Sequence, residues 1–126
     1  MATLEQKVCI DTDVAIAILN NEIRASKLID HIKDLEIFIS VITLFELLLR
    51  ETNLDKIEML RDKVKVLDFN EVSSRKASLL FKDLKKKGKI MDIRDLFISA
   101  ICLVNNCKLA TFNKKHFWNI GELELI

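Results

Sequence analysis

The sequence predicts an α/β fold in which a mainly parallel sheet of four to five strands lies between helices on both faces. Two patterns predict it. Short apolar runs of strand length alternate with stretches of helical spacing, and turn-forming residues are scarce. Pro is absent and Gly occurs only at Gly88 and Gly121 among 126 residues. That excludes a turn-rich small barrel and glycine-built phosphate cradles, which need several close backbone approaches. A chain of this length is expected to form one domain over residues 1–126. Half its residues are hydrophobic, enough to fold without disulfide or structural metal.

Val8-Cys9-Ile10 reads as a buried strand ending at Asp11, followed by a helix from Asp13 to Asn20. Ala25, Leu28, Ile29 and Ile32 give the apolar face of a second helix. Ile37-Phe38-Ile39 is a second strand, with a helix from about Thr43 to Glu51 after it. Ile57, Leu60 and Val64 mark a short helix that runs into a strand over Val64 to Phe69. Asn70 is a candidate N-cap for a longer helix that buries Ala77, Leu80, Phe81 and Leu84 and stops at Gly88. Ile93, Leu96, Phe97, Ala100, Ile101 and Val104 mark the last long helix. Lys108 to Thr111 and Leu123 to Leu125 read as closing strands.

Charge and cysteine narrow the class. The 20 Lys and Arg against 19 Asp and Glu leave a net charge of +1, unlike a nucleic-acid-coating protein or an acidic disordered tail. Cys9, Cys102 and Cys107 are odd in number and contain no Cys-x-x-Cys pair, so neither a disulfide framework nor a zinc site is expected. No leader-like segment and no membrane-length apolar run are read in the sequence. A reducing cytoplasm is the expected compartment.

Ligands of parallel sheets bind beyond the carboxyl ends of the strands, which draws attention to Asp11. Alone, Asp11 is equally a turn residue or helix N-cap. Glu46 sits in Val41 to Leu49, a segment apolar almost all round, so its helix is expected to be mostly buried. A carboxylate there must be paired with Arg or Lys, protonated, or bound to metal. Asp92 and Asp95 open the late helix on one face, where acids also suit the helix dipole and Asp92 suits an N-cap. If these ends meet above the sheet, three or four carboxylates converge, and oxygen-only ligands suit Mg²⁺ or Mn²⁺. Such a centre favours displacement at phosphorus. His31 and His116 read as solvated side chains.

Four segments in order and spacing resemble the PIN-domain ribonucleases, and in small size the VapC-type toxins of toxin–antitoxin pairs. They are Val8-Cys9-Ile10-Asp11-Thr12, Ile42-Thr43-Leu44-Phe45-Glu46-Leu47-Leu48, Asp95-Leu96-Phe97-Ile98-Ser99-Ala100, and Lys108 to Phe117. The resemblance implies a three-layer α/β/α fold and metal-dependent endoribonuclease activity. It places Asp11, Glu46 and Asp95 at the metal, with Asp92 or Asn113 completing the catalytic set. Asn113 stands where many relatives carry a fourth Asp, and His116 where they commonly carry Asp. The resemblance also implies a cognate antitoxin and a homodimer. Thr12 and Thr43 either orient a carboxylate or cap helices.

Lys85, Lys86 and Lys87, with Lys114 and Lys115, are the densest basic segments. They are either solvated helix ends or an electrostatic approach for RNA phosphates. Two other readings fit less well. A haloacid-dehalogenase-type phosphatase would use Asp11 as nucleophile but needs a longer chain and later acidic motifs. A receiver-type domain would need a phosphoacceptor at a strand end, for which Asp68 is poorly placed. The remaining rival is a catalytically inactive PIN-like module that binds RNA or protein.

Overall fold

The computed structural model describes residues 6–126; the first five residues of the domain expected over 1–126, where a leader would begin, lie outside them. The first strand, β1 (Lys7–Ile10), leads into α1 (Thr12–Leu19) and α2 (Ile23–Ile32). After β2 (Glu36–Ser40) come α3 (Val41–Leu48) and α4 (Leu54–Lys63). Then β3 (Lys65–Leu67) precedes the helical pair α5 (Glu71–Lys86) and α6 (Ile93–Val104), and β4 (Cys107–Ala110) closes the sheet. All pairings are parallel, in the order β3-β2-β1-β4. The predicted three-layer α/β/α arrangement is therefore the observed one.

The period-two alternation of strand side chains divides the core in two. Val8 and Ile10 of β1 and Ile39 of β2 pack with Val14, Ile32, Leu47 and Ile57 from the helices α1 to α4. Cys9 and Phe38 point the other way, onto Leu80 and Leu84 of α5 and Leu96 and Ile98 of α6. Both faces of β1 are thus buried, which is why its short run is apolar without interruption. Asp11, following it, lies at the carboxyl edge of an inner strand.

Caps set the helix starts. Asn70 accepts a hydrogen bond from the Ser73 amide at 3.0 Å, and Ser40 one from Thr43 at 3.0 Å. At the far end of α5, Gly88 takes φ +67° while the Lys89 amide bonds the Leu84 carbonyl at 2.9 Å. This is a left-handed helix stop that a residue with a Cβ enters at a cost.

Three expectations need correction. Phe81 is 52% exposed rather than buried: α5 packs on α6 through the stripe Ala77, Leu80 and Leu84, and Phe81 falls at its margin. Leu123 to Leu125 do not form a strand. The segment meets β4 at one bridge, Leu109 with Leu125, through the Leu109 amide to Glu124 at 2.9 Å and the Ile126 amide to Leu109 at 2.8 Å. The helix around Glu46 is not mostly buried, since Phe45, Leu48 and Leu49 are exposed. Among the described residues no helix is long and apolar enough to cross a membrane.

Candidate active site

Parallel strands put all their carboxyl ends on one edge, and the predicted acids gather there from different elements. Asp11 is the N-cap of α1. Its Oδ1 accepts the Thr12 amide at 2.8 Å, and its Oδ2 accepts the hydroxyl of Thr111, the residue after β4, at 2.8 Å. The residue is only 6% exposed. Burial, followed by the charge of Asp13, pushes its carboxyl up to about 7 against the pull of those two hydrogen bonds, with Asp95 adding to the rise.

Glu46 is held by a line of hydroxyls. The Thr12 hydroxyl donates to Glu46 Oε1 at 2.9 Å, Thr43 Oγ1 lies 3.0 Å from Thr12 Oγ1, and Ser40 Oγ lies 3.4 Å from Thr43 Oγ1. Each hydroxyl has one proton. With the proton of Thr12 committed to the carboxylate, Thr43 must donate to Thr12 and Ser40 to Thr43. The other oxygen, Oε2, accepts from Arg94 at 3.3 Å, and the Glu46 side chain is 21% exposed. The pairing with a cation that a mostly buried carboxylate would require is therefore present on one that is partly open.

Asp95 lies in the first turn of α6, half-buried, with its carboxyl raised by burial and then by Asp92. Its Oδ2 faces Nδ1 of His116 at 3.5 Å. Asp92 is the N-cap of α6, accepting the Arg94 amide at 2.8 Å. Hydrogen bonds from Arg94 hold its carboxyl below the usual range. Asp92 is thus occupied with its helix and with Arg94. Asn113 enters the network through its amide, which donates to Thr111 Oγ1 at 3.0 Å.

Asp11, Glu46 and Asp95 share the carboxyl edge, but among the described residues no three His, Cys, Asp or Glu side chains form a group placed to hold one ion. Glu46 faces Arg94 and Asp95 faces His116 instead. The donor set still suits a hard divalent cation, because a buried carboxylate with acidic neighbours and all-oxygen ligands is relieved by positive charge.

Three participants were not read from the sequence. Thr111 stands at a strand end, the same position that drew attention to Asp11. Asp13 accepts the Val14 amide at 2.8 Å and the Phe112 amide at 3.1 Å, fastening α1 to the loop after β4. Arg94 reaches Glu46 across 48 positions of sequence, a relation with no local signature. Of the basic segments, Lys114 and Lys115 share the 3₁₀ turn of His116. Lys85 lines a groove of about 470 Å³ with Leu96, the neighbour of Asp95. Lys86 is exposed in the last turn of α5, and Lys87 pairs with Asp83 at 3.0 Å.

This topology and its acidic carboxyl edge coincide with a family match: the PIN domain profile fits residues 8–123, and the chain belongs to the PIN-domain family. Within that family it falls in the VapC branch. Ribonuclease VapC3 of Methanocaldococcus jannaschii is 39% identical over 93 residues, covering 73% of this chain and 94% of that protein. Ribonuclease VapC1 of the same organism is 40% identical over 48 residues, which span 38% of this chain and 35% of VapC1. Among solved structures, VapBC-1 from nontypeable Haemophilus influenzae superimposes with a TM-score of 0.85 at 27% identity, covering 96% of this chain and 97% of that one. VapBC2 from Rickettsia felis, bound to a DNA fragment from its promoter, has the same fold. Its TM-score is 0.84 at 22% identity, covering 96% and 98% of the two chains.

Proposed function

We propose that this protein is a metal-dependent endoribonuclease and the toxin of a VapBC-type toxin–antitoxin pair, acting in the cytoplasm. The observation that carries the reading is Asp11, a nearly buried carboxylate at the carboxyl edge of an inner strand. Its raised pKa marks a site short of positive charge. Asp11, Glu46 and Asp95 would hold Mg²⁺ or Mn²⁺, with Asp92 or Asn113 assisting. Such an ion, when bound, activates water and stabilises charge developing on a scissile phosphate. The chain's own part is to orient and to bind. The hydroxyl line from Ser40 fixes one oxygen of Glu46, Thr111 fixes one oxygen of Asp11, and Arg94 offers a guanidinium suited to a phosphate oxygen.

Cleavage of a structured RNA by the purified protein tests this directly. Activity is expected with Mn²⁺ and is expected to be lost with EDTA and in Asp95→Asn. No cleavage in any of the three would instead mark the protein as a catalytically inactive PIN-like binding module, and equal cleavage in all three would overturn the metal-dependent reading.

Lys85, Lys86, Lys87, Lys114 and Lys115 would approach the RNA backbone. Reversing charge at Lys85, Lys86 and Lys87 is expected to weaken RNA binding and to lower its salt slope by about one to two contacts' worth. An unchanged slope would leave these lysines as a solvated helix end. The antitoxin partner follows from the VapBC relatives. The homodimer is supported by exposed apolar side chains, Phe45 and Leu48 on α3 and Leu49 just after it, with Phe81, Ile90 and Ile93 around α5 and α6.

A further inference from the structure

We infer that Trp118 is a stacking platform for an unpaired base, so that the substrate brought to the acidic edge is a loop or single-stranded segment of RNA. This rests on the RNA reading above and deepens it. Its own observation is the exposure of Trp118, which is 64%. Trp is highly buried on average, and this one is the chain's only tryptophan. Among the described residues it is also the only large apolar side chain exposed after α6.

The segment that carries it is held by its own bonds and lies beside the proposed centre. The His116 amide donates to the Asn113 carbonyl, Phe117 to Lys114 and Ile120 to Phe117, each at 3.0 Å. Bonds of this length along the chain wind it at three residues per turn. Phe117 and Ile120, three apart, are both buried and anchor one side. Lys115 and Trp118, also three apart, share a second side, and both are exposed. From the third side His116 faces Asp95 at 3.5 Å. Trp118 follows His116 by two residues, within about 7 Å along the backbone. A base stacked on it therefore belongs to a nucleotide close to the one at the acids.

The neighbours decide the occupant. A surface that meets another protein presents a contiguous apolar patch, whereas Trp118 is a single ring that follows Lys114 and Lys115. Lysines beside a lone aromatic suit single-stranded nucleic acid: the cations take the phosphates and the ring takes a base. A base inside a duplex is covered on both faces by its neighbours, so only a splayed-out one reaches the ring. Every base has a π-face, so this contact selects strandedness and not sequence.

Fluorescence tests this, because with one Trp and no Tyr in the chain the emission reports the Trp118 ring alone. The full protein is titrated in EDTA, which keeps RNA uncut under the reading above, with single-stranded RNA of mixed sequence about ten nucleotides long. Binding is expected to quench the emission, and the same RNA annealed into a duplex is expected to leave it unchanged. Read from a dye on the RNA, Trp118→Ala is expected to lower affinity about five- to a hundredfold. The slope of log affinity against log salt should stay the same in that variant, since stacking releases no counterions, and should fall by about 0.7 in Lys115→Ala. Trp118→Phe is expected to keep most of the affinity, and circular dichroism checks that each variant folds. Unchanged affinity in Trp118→Ala, a salt slope that falls with it, or equal quenching by duplex would overturn the stacking role and leave the RNA reading standing. Unchanged affinity with an altered oligomeric state would make Trp118 a protein contact instead. Failure of the unaltered protein to bind the RNA at all would overturn both.

Discussion

Asp11→Asn is expected to abolish RNA cleavage and, in metal-free protein at pH 8, to raise the melting temperature. The two effects have one cause. In the unfolded chain the carboxyl titrates near its ordinary value of 3.8, and in the fold burial lifts it to about 7. Between those values the native state holds a proton that the unfolded state has released. Stability from this group is therefore full below the lower value and is lost as pH rises toward the upper one, by up to about 1.4 kcal/mol per pH unit.

Asn carries no charge to desolvate and can keep both contacts by reversing the one to Thr111. Its carbonyl accepts the Thr12 amide, and its NH₂ donates to Thr111 Oγ1, whose second lone pair remains for the Asn113 amide. A rise of about 5–10 °C at pH 8, narrowing toward pH 5, is the expected result of thermal denaturation followed across pH in EDTA. Cleavage should fall by about a hundredfold or more, because an ionised ligand is gone. A melting point that moves identically at pH 5 and pH 8 would show that Asp11 is not held under electrostatic stress. Retained cleavage would remove it from the centre.

The second large effect is on the framework beneath the site. Ile101→Ala is expected to destabilise the fold by about 2–5 kcal/mol, a large share of the total for a domain of this size. Ile101 is fully buried in α6 beside Ile98, Ala100 and Cys102, also fully buried, so little can collapse into the space left. Because α6 opens with Asp95, metal binding should also weaken as the helix loosens. Urea denaturation read by circular dichroism measures the first, and Mn²⁺ titration the second. A loss below about 1 kcal/mol would mean that this layer repacks easily.

These expectations draw on different degrees of legibility in the sequence. Asp11 could be read because an acid directly after a buried strand falls at the carboxyl edge of a parallel sheet, where ligands bind. Glu46 could be read as an acid out of place in an apolar segment, and Asp95 from the resemblance, but the helix of Glu46 is more open than its apolar pattern implies. Apolar side chains around a helix do not distinguish a core from a surface that meets another molecule, and α3 exposes Phe45 and Leu48. Phe81 failed for a related reason: a helix face is about 100° wide, and its margin is set by where α6 lies.

Asp13 and Arg94 were unreadable for a physical reason, and Thr111 offered only its place at a strand end. Their partners are brought up by the order of strands in the sheet, and nothing in spacing along the chain encodes that β1 lies beside β4. His116 read as a solvated side chain. It is indeed exposed, and only the turn after β4 aims it at Asp95.

The hydrogen bond between Thr111 and Asp11 joins residues 100 positions apart, and that separation has a meaning for synthesis. During translation Asp11 leaves the ribosome long before Thr111 has been added, and until β4 is in place one side of β1 has no neighbouring strand. The loop that brings Asn113 and His116 to the acids is later still. A growing chain therefore carries its acids without the arrangement that would let them act together. The carboxyl edge is thus among the last parts of the fold that a growing chain can complete.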